Sequence, residues 1–146
     1  HLLRDGEIDR VHGLYALCPF IAGIWPQERF PSSIENDGYY LSLGSNRSAM
    51  AYGIDAFEAG DPLAWPSFAS EDDVRGLCRT FVSVNECDPL RDEGVEFYRL
   101  LLRAGVPAQC RVVMGTAHAM DTAVAVMPDV TRETAASIAR FDTIPG

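Results

Sequence analysis

A carboxylate and an imidazole each stand just past a short apolar run in this chain. Asp88 follows Phe81-Val82-Ser83-Val84 and opens the string Asp88-Pro89-Leu90-Arg91-Asp92-Glu93-Gly94; His118 follows the run from Gln109 to Met114. If both runs are parallel strands of one sheet, their carboxyl ends lie on the same side and about 4.8 Å apart. That edge is where open α/β sheets bind ligands. A buried carboxylate that accepts the Nδ1–H of a histidine fixes its tautomer and stabilises its imidazolium, and such a pair is half of an acyl-transfer apparatus. Each residue also has a plainer reading. Asp-Pro is a favoured turn opener, and an aspartate can cap the helix that follows; His118 can be an ordinary loop histidine. Spacing alone leaves both readings open. Asp92 suits a cap or a first-turn charge that complements the helix dipole, and Glu86 is placed to hold a backbone turn. His12 precedes a strand and His1 is terminal, and neither is assigned a role.

The elements that must position the pair are the clearest part of the chain. Phe81 to Asn85 reads as a strand. Gly94, Val95, Tyr98, Leu101, Leu102 and Gly105 recur on one face of a helix, with Gly105 as a natural C-terminal stop. Gln109 to Met114 reads as a second strand. Strand, amphipathic helix and strand in this order make a βαβ unit, whose strands should be parallel and whose crossover right-handed. Thr131 can cap a final helix reaching Phe141, with Ala135, Ile138 and Phe141 on its inner side. Upstream, Val11 to Leu17 is a short apolar strand ended by Cys18-Pro19, and Leu2 to Arg10 looks like the tail of a helix plus a polar turn. Residues 20–69 differ in character, being irregular and rich in Pro, Gly and aromatics. Only Tyr39 to Ile54 looks helical there, interrupted by Gly44. A long irregular stretch in a compact domain is usually a functional excursion, although its aromatics are more often packing than ligand contacts.

Bulk properties narrow the partners. At 146 residues with 47% apolar residues, the chain has the size and composition of one globular domain. Its net charge of −9 argues against nucleic acid and anionic membrane, which reward a basic face. No apolar run approaches the roughly 20 residues of a membrane span. Cys18, Cys78, Cys87 and Cys110 form no C-x-x-C pair and have no histidine at metal-ligand spacing. They read as small thiols in a reducing cytosol, so a cytoplasmic setting and no metal are expected. The N-terminus has no signal-peptide layout and no initiator methionine, the mark of a processed chain or of a piece of something longer.

The string "VNECDPLRDEG", followed by "FYRLLLRAGVPAQCRVVMGTAHAMD" and preceded by "PLAWPSFASEDDVRGL", resembles the acid and histidine segments of the hormone-sensitive-lipase-like branch of the α/β-hydrolases, bacterial carboxylesterases. The resemblance runs from about Asp9 to Phe141 and corresponds to the C-terminal part of the family's single domain. It implies an α/β fold of parallel strands with crossover helices, with 1–146 as that C-terminal part, 20–69 as an excursion and 80–146 carrying the acid and the histidine. It further implies that Asp88 is the triad acid and His118 the triad base, that no cofactor is needed, and that the substrate is a small carboxylic ester. By resemblance and composition, the Trp25–Tyr52 region would help wall the substrate pocket. Two departures stand out. Ala119 follows the histidine where the family usually has Gly, which bears on the loop carrying His118. Cys78-Arg79 stands where a Pro pair usually precedes the acid strand, which bears on packing.

The nucleophile elbow G-x-S-x-G does not occur in the sequence, and neither does an H-G-G oxyanion motif. Ser45 and Ser48 lie in a helix-like segment and Ser83 inside a strand, none with the flanking glycines. His12-Gly13-Leu14 introduces a strand and does not match. The chain is therefore expected to supply acid and base while the serine and oxyanion hole lie in a missing N-terminal part, so that alone it is inactive. The Leu14 strand would leave an apolar, unpaired edge, covered by that N-terminal half or by a second copy. Two alternatives remain: a non-catalytic α/β association module derived from a hydrolase, and a hydrolase whose nucleophile is Cys87, next to the acid.

Overall fold

A computed structural model describes residues 1–42, 44 and 47–143. Its centre is a three-stranded parallel sheet in the order β1 (Leu14–Leu17), β2 (Thr80–Asn85), β3 (Ala108–Val113). The register sets Leu14 opposite Thr80 and Thr80 opposite Ala108. β2 is the central strand, and Val82 and Val84 are fully buried, as its β-branched, nearly continuous apolar sequence requires. The strand expected from Val11 begins its ladder only at Leu14, whose N–H donates to Arg79 O. Before it, an Asp5 N–H to His1 O bond closes one helical turn, and a 3-10 turn spans Ile8–Arg10.

Between β1 and β2 the chain runs through a long connection of short elements. It carries α1 (Ser32–Glu35), α2 (Arg47–Glu58), a 3-10 turn at Pro66–Phe68 and α3 (Glu71–Val74). Of the helix expected over Tyr39–Ile54, the part from Arg47 is observed as α2, which kinks at Gly53, while Tyr40, at a left-handed φ of 69°, is not helical. Ser45 lies outside the described residues. The first core cluster sits under this excursion, where Ala22, Trp25, Phe30 and Leu90 pack together.

The crossover helix α4 (Arg91–Arg103) packs on β2 and β3. Its Leu100, Leu101 and Ala104 form a second core with Val74 and Val106. Gly105, at φ 77°, ends the helix, with the Val106 N–H returning to Leu101 O. Gly94 allows the close approach of helix to sheet: a Cβ there would lie 2.6 Å from Val84 Cγ1 and 3.3 Å from Pro19 Cγ.

The last helix, α5 (Pro128–Thr143), differs from expectation in two ways. It starts at Pro128, whose missing N–H suits a first helical position, so Thr131 is inside it rather than its cap. Its inward face is Thr134, Ser137 and Phe141, whereas Ala135 and Ile138 are exposed. The surface it covers is partly polar. Tyr15 OH donates to Ser137 Oγ at 2.9 Å, and Arg111 donates to Thr134 Oγ1 at 2.7 Å and Ser83 Oγ at 2.9 Å. Hydroxyls therefore serve better than alkyl groups, and only Phe141 joins the aromatic contacts, with Tyr15 and Phe81. On β1, Leu14 is 43% and Leu17 37% exposed. No helix among the described residues is long and apolar enough to cross a membrane.

Candidate active site

The carboxyl end of β2 and the loop after β3 are joined residue by residue. Glu86 Oε2 accepts the Gly115 N–H at 2.7 Å, so Glu86 does hold a turn. The Cys87 N–H donates to Thr116 O at 2.9 Å. Asn85 Nδ2 donates to Thr116 Oγ1 at 2.6 Å, and Asn85 Oδ1 accepts the Ala119 N–H at 3.2 Å. Asp88 Oδ2 lies 2.9 Å from His118 Nδ1. Adjacent parallel strands bring the two chain segments side by side, and these bonds then aim their side chains.

Asp88 is fully buried, while the His118 side chain keeps 26% of its surface. Asp88 makes one contact with each oxygen: Oδ1 accepts the Leu90 N–H at 2.9 Å, an Asx turn opening α4, and Oδ2 faces the imidazole. A carboxylate can only accept, so His118 carries its proton on Nδ1 and leaves Nε2 with a free lone pair. The hydrogen bond to Asp88 lifts the His118 pKa above its ordinary value. Burial opposes the shift, and the charges of Asp88 and Asp121 add to it. Asp121 is itself buried, bonded through Oδ2 to Thr134 Oγ1 at 3.1 Å and facing Arg111 at 3.5 Å.

The other candidates fall elsewhere. Asp92 fastens α1 to α4: Oδ2 accepts the Ser32 N–H at 2.7 Å and Oδ1 accepts from Arg91 Nε at 2.9 Å. Burial works against this carboxylate, but Arg91 and Ser32 outweigh it and hold its pKa below the usual value. Ser83 is buried inside β2 and accepts from Arg111. Ser48 falls on α2.

Three residues at or near the site carried no signal of their own in the sequence. Asn85 is one. Cys18 is another: its thiol donates to Asn85 Oδ1 at 2.6 Å, and its Sγ, a carboxylate oxygen of Asp88 and a ring nitrogen of His118 all lie within 4.8 Å of one another. That trio has the donor set of a metal site, yet each member already has a protein partner. Burial pushes the Cys18 pKa up to about 12, with the charges of Asp88 and Asp121 adding to the rise, the opposite of an activated nucleophile. The thiol beside the pair is thus Cys18 and not Cys87. The third residue is Glu93, whose buried carboxylate accepts from Ile21 N at 2.7 Å, Ala22 N at 3.1 Å and Trp25 Nε1 at 2.5 Å. Burial pushes its pKa up to about 7 against those three N–H groups. It ties α4 to the start of the excursion.

Beside that tie lies an apolar cavity of about 650 Å³, lined by Phe20, Ile21, Tyr52, Leu63 and Trp65 among others. Tyr52 lines this cavity, whereas Trp25, at the other end of the same region, is buried in the first core.

A family model described as alpha/beta hydrolase fold matches residues 1–122. No curated protein gives a match. Among solved structures, the esterase Est22 is 63% identical with a TM-score of 0.93 over 96% of this chain. One of its structures is with p-nitrophenol. Brefeldin A esterase, described as a bacterial homologue of human hormone sensitive lipase, is 42% identical with a TM-score of 0.88 over 96% of this chain. A fungal esterase from Rhizomucor miehei, at 22% identity and a TM-score of 0.84, shares the fold. The chain spans 41% of the length of Est22 and of brefeldin A esterase.

Proposed function

The chain belongs to the alpha/beta hydrolase fold family, and we propose that it is the acid- and base-bearing C-terminal part of a serine carboxylesterase domain. The observation that carries this reading is the 2.9 Å contact between Asp88 Oδ2 and His118 Nδ1 at the carboxyl ends of adjacent parallel strands. The esterases it resembles supply the reaction class. That it spans less than half their length, and contains no G-x-S-x-G, supports assigning the serine and the oxyanion donors to a further N-terminal segment. That segment would also cover the exposed Leu14 and Leu17 edge of β1. Residues 1–146 are read as one part of a single domain with the cytosol as its compartment.

In this division of labour the serine hydroxyl attacks the ester carbonyl and passes its proton to His118 Nε2. The imidazolium is stabilised by Asp88 and then protonates the departing alcohol, leaving an acyl-enzyme. A water molecule repeats the cycle: its proton goes to Nε2, its oxygen to the acyl carbon, and the released serine takes the proton back. The substrate is taken to be a small, apolar ester because of the resemblance, and the apolar cavity beside Phe20, Tyr52 and Trp65 is the candidate wall for it. No metal or organic cofactor is required by this sequence of steps.

The test is complementation. The N-terminal segment of this protein, or the corresponding segment of Est22, is co-expressed with the chain and assayed on p-nitrophenyl acetate. Hydrolysis that disappears in His118→Ala supports the reading. Hydrolysis unchanged by His118→Ala overturns the assignment, and a monodisperse homodimer with no activity in either pairing favours an association module.

A further inference from the structure

The following rests on the reading of His118 as the base. Asn85 is completely buried at the end of β2, and every polar atom of its side chain is committed. The Ala119 N–H can only donate, so the atom that meets it is the amide oxygen. Thr116 spends its hydroxyl proton on Val113 O, so its oxygen receives the amide nitrogen's N–H. The orientation of the carboxamide is thereby determined by its partners. The same oxygen takes the S–H of Cys18, the residue just after β1. The two ends of this one side chain thus grip the loop two residues before His118 and one residue after it. The residue after it is under conformational tension: Ala119 sits at φ 55°, a left-handed conformation that alanine rarely adopts and where the resembled esterases usually carry Gly.

We propose that Asn85 is a positioning residue for His118: by holding Thr116 and the Ala119 N–H together, it keeps the loop in its left-handed turn and the imidazole against Asp88. Ala119 adopts that turn at the expense of a local clash, and the hydrogen bond from its N–H to Asn85 offsets it. Cys18 contributes by donating to the same oxygen, which keeps the amide from rotating.

The experiment reads the imidazole directly in the full chain and needs no nucleophile. The His118 ring is followed by 15N-edited NMR as a function of pH in the wild type, in Asn85→Ala and in Asn85→Ala/Ala119→Gly. The charged groups facing the ring are Asp88 and Asp121, with the Cys18 thiol neutral beside them, and none is altered by these substitutions. In Asn85→Ala the Nδ1 proton resonance of the Asp88 hydrogen bond is lost or broadened and the His118 titration falls toward the ordinary imidazole value. In the double variant, glycine accepts the left-handed turn unaided, and the resonance and the titration recover. With the N-terminal segment supplied, the loss in Asn85→Ala falls on kcat by about 10- to 100-fold with KM little changed. If Asn85→Ala does not fold, hydrogen exchange of the wild-type Ala119 amide decides: slow exchange supports the clamp, and exchange as fast as in an open loop overturns it. An unshifted His118 titration in folded Asn85→Ala overturns it as well. Failure of complementation with the His118 shift intact would instead count against the esterase reading alone.

Discussion

The carboxylate of Asp88 divides its two oxygens between two tasks: one takes the Leu90 N–H and opens α4, and the other lies 2.9 Å from His118 Nδ1. The turn that starts the helix and the contact that orients the imidazole are therefore one structure. Replacing Asp88 disturbs both, whereas replacing His118 removes only the second. In the complemented enzyme, His118→Ala should lower kcat on p-nitrophenyl acetate by at least about 10⁴-fold, and Asp88→Asn by a similar factor. Thermal unfolding separates the two: Asp88→Asn should lose more stability than His118→Ala, because its amide can present the wrong group to the Leu90 N–H or to the ring. Equal melting temperatures would argue against the dual role.

The pH dependence of His118 has a defined sign. Its folded pKa lies above the ordinary 6.5, so charged His118 contributes stability that is fully present below about pH 6.5 and is lost as pH rises through the raised value. Subtracting the Tm–pH curve of His118→Gln from that of the wild type should isolate this falling contribution. The rate has the opposite slope, since the base must be neutral: kcat/KM should rise with pH through a limb lying above 6.5. A limb below 6.5 would contradict the Asp88 contact.

Glu93 should titrate far from the usual carboxylate range. With a folded value near 7 against an ordinary 4.5, the folded chain holds a proton that the unfolded chain has released. Stability therefore declines from about pH 4.5 to 7, by roughly 3 kcal/mol at most, and levels off above. The Trp25 indole N–H donates to this carboxylate, so its proton resonance should shift with a midpoint near 7 and become flat in Glu93→Gln. A midpoint near 4.5 would show that the three N–H donors fully offset burial.

Helix α4 rests on the sheet at Gly94, with no room for a methyl group between it and Val84. Gly94→Ala should destabilise by about 1–3 kcal/mol through overpacking, read as a lowered urea midpoint with unchanged m. Val84→Ala in the same chain should recover part of the loss. Additive losses in the double variant would place the crowding elsewhere.

Much of this architecture could be read from residue order, for physical reasons that differ between elements. β2 announces itself because it is buried and nearly continuously apolar. α4 shows its helical period, but its inward face runs through Leu100, Leu101 and Ala104 while Leu102, expected inside, is exposed, and β3 is a half-buried strand. Asp88 and His118 follow the ends of β2 and β3. α5 misleads because its inward residues are Thr134 and Ser137, which a hydrophobic pattern assigns to solvent, while Ile138 faces out. Cys18, Asn85 and Glu93 are legible only in three dimensions. Cys18 reaches Asn85 across the sheet, and Glu93 satisfies N–H groups from a segment far upstream. No local spacing marks such bonds. The family resemblance supplied the roles of acid and base, but the departure at Ala119 gained meaning only from its backbone angle and from the side chain that meets it.

Acid and base both come from β2 onward, and the segments before β2 add supporting bonds, among them the Cys18 thiol to Asn85 and the Asn36 amide to Glu86 O and Asp88 O. On the proposed division of labour, the proton relay is thus assembled before the rest of the enzyme arrives. A molecule organised in this way lends itself to use as one arm of a split reporter: two silent pieces, fused to a pair of interacting proteins, would yield colour only when their hosts meet.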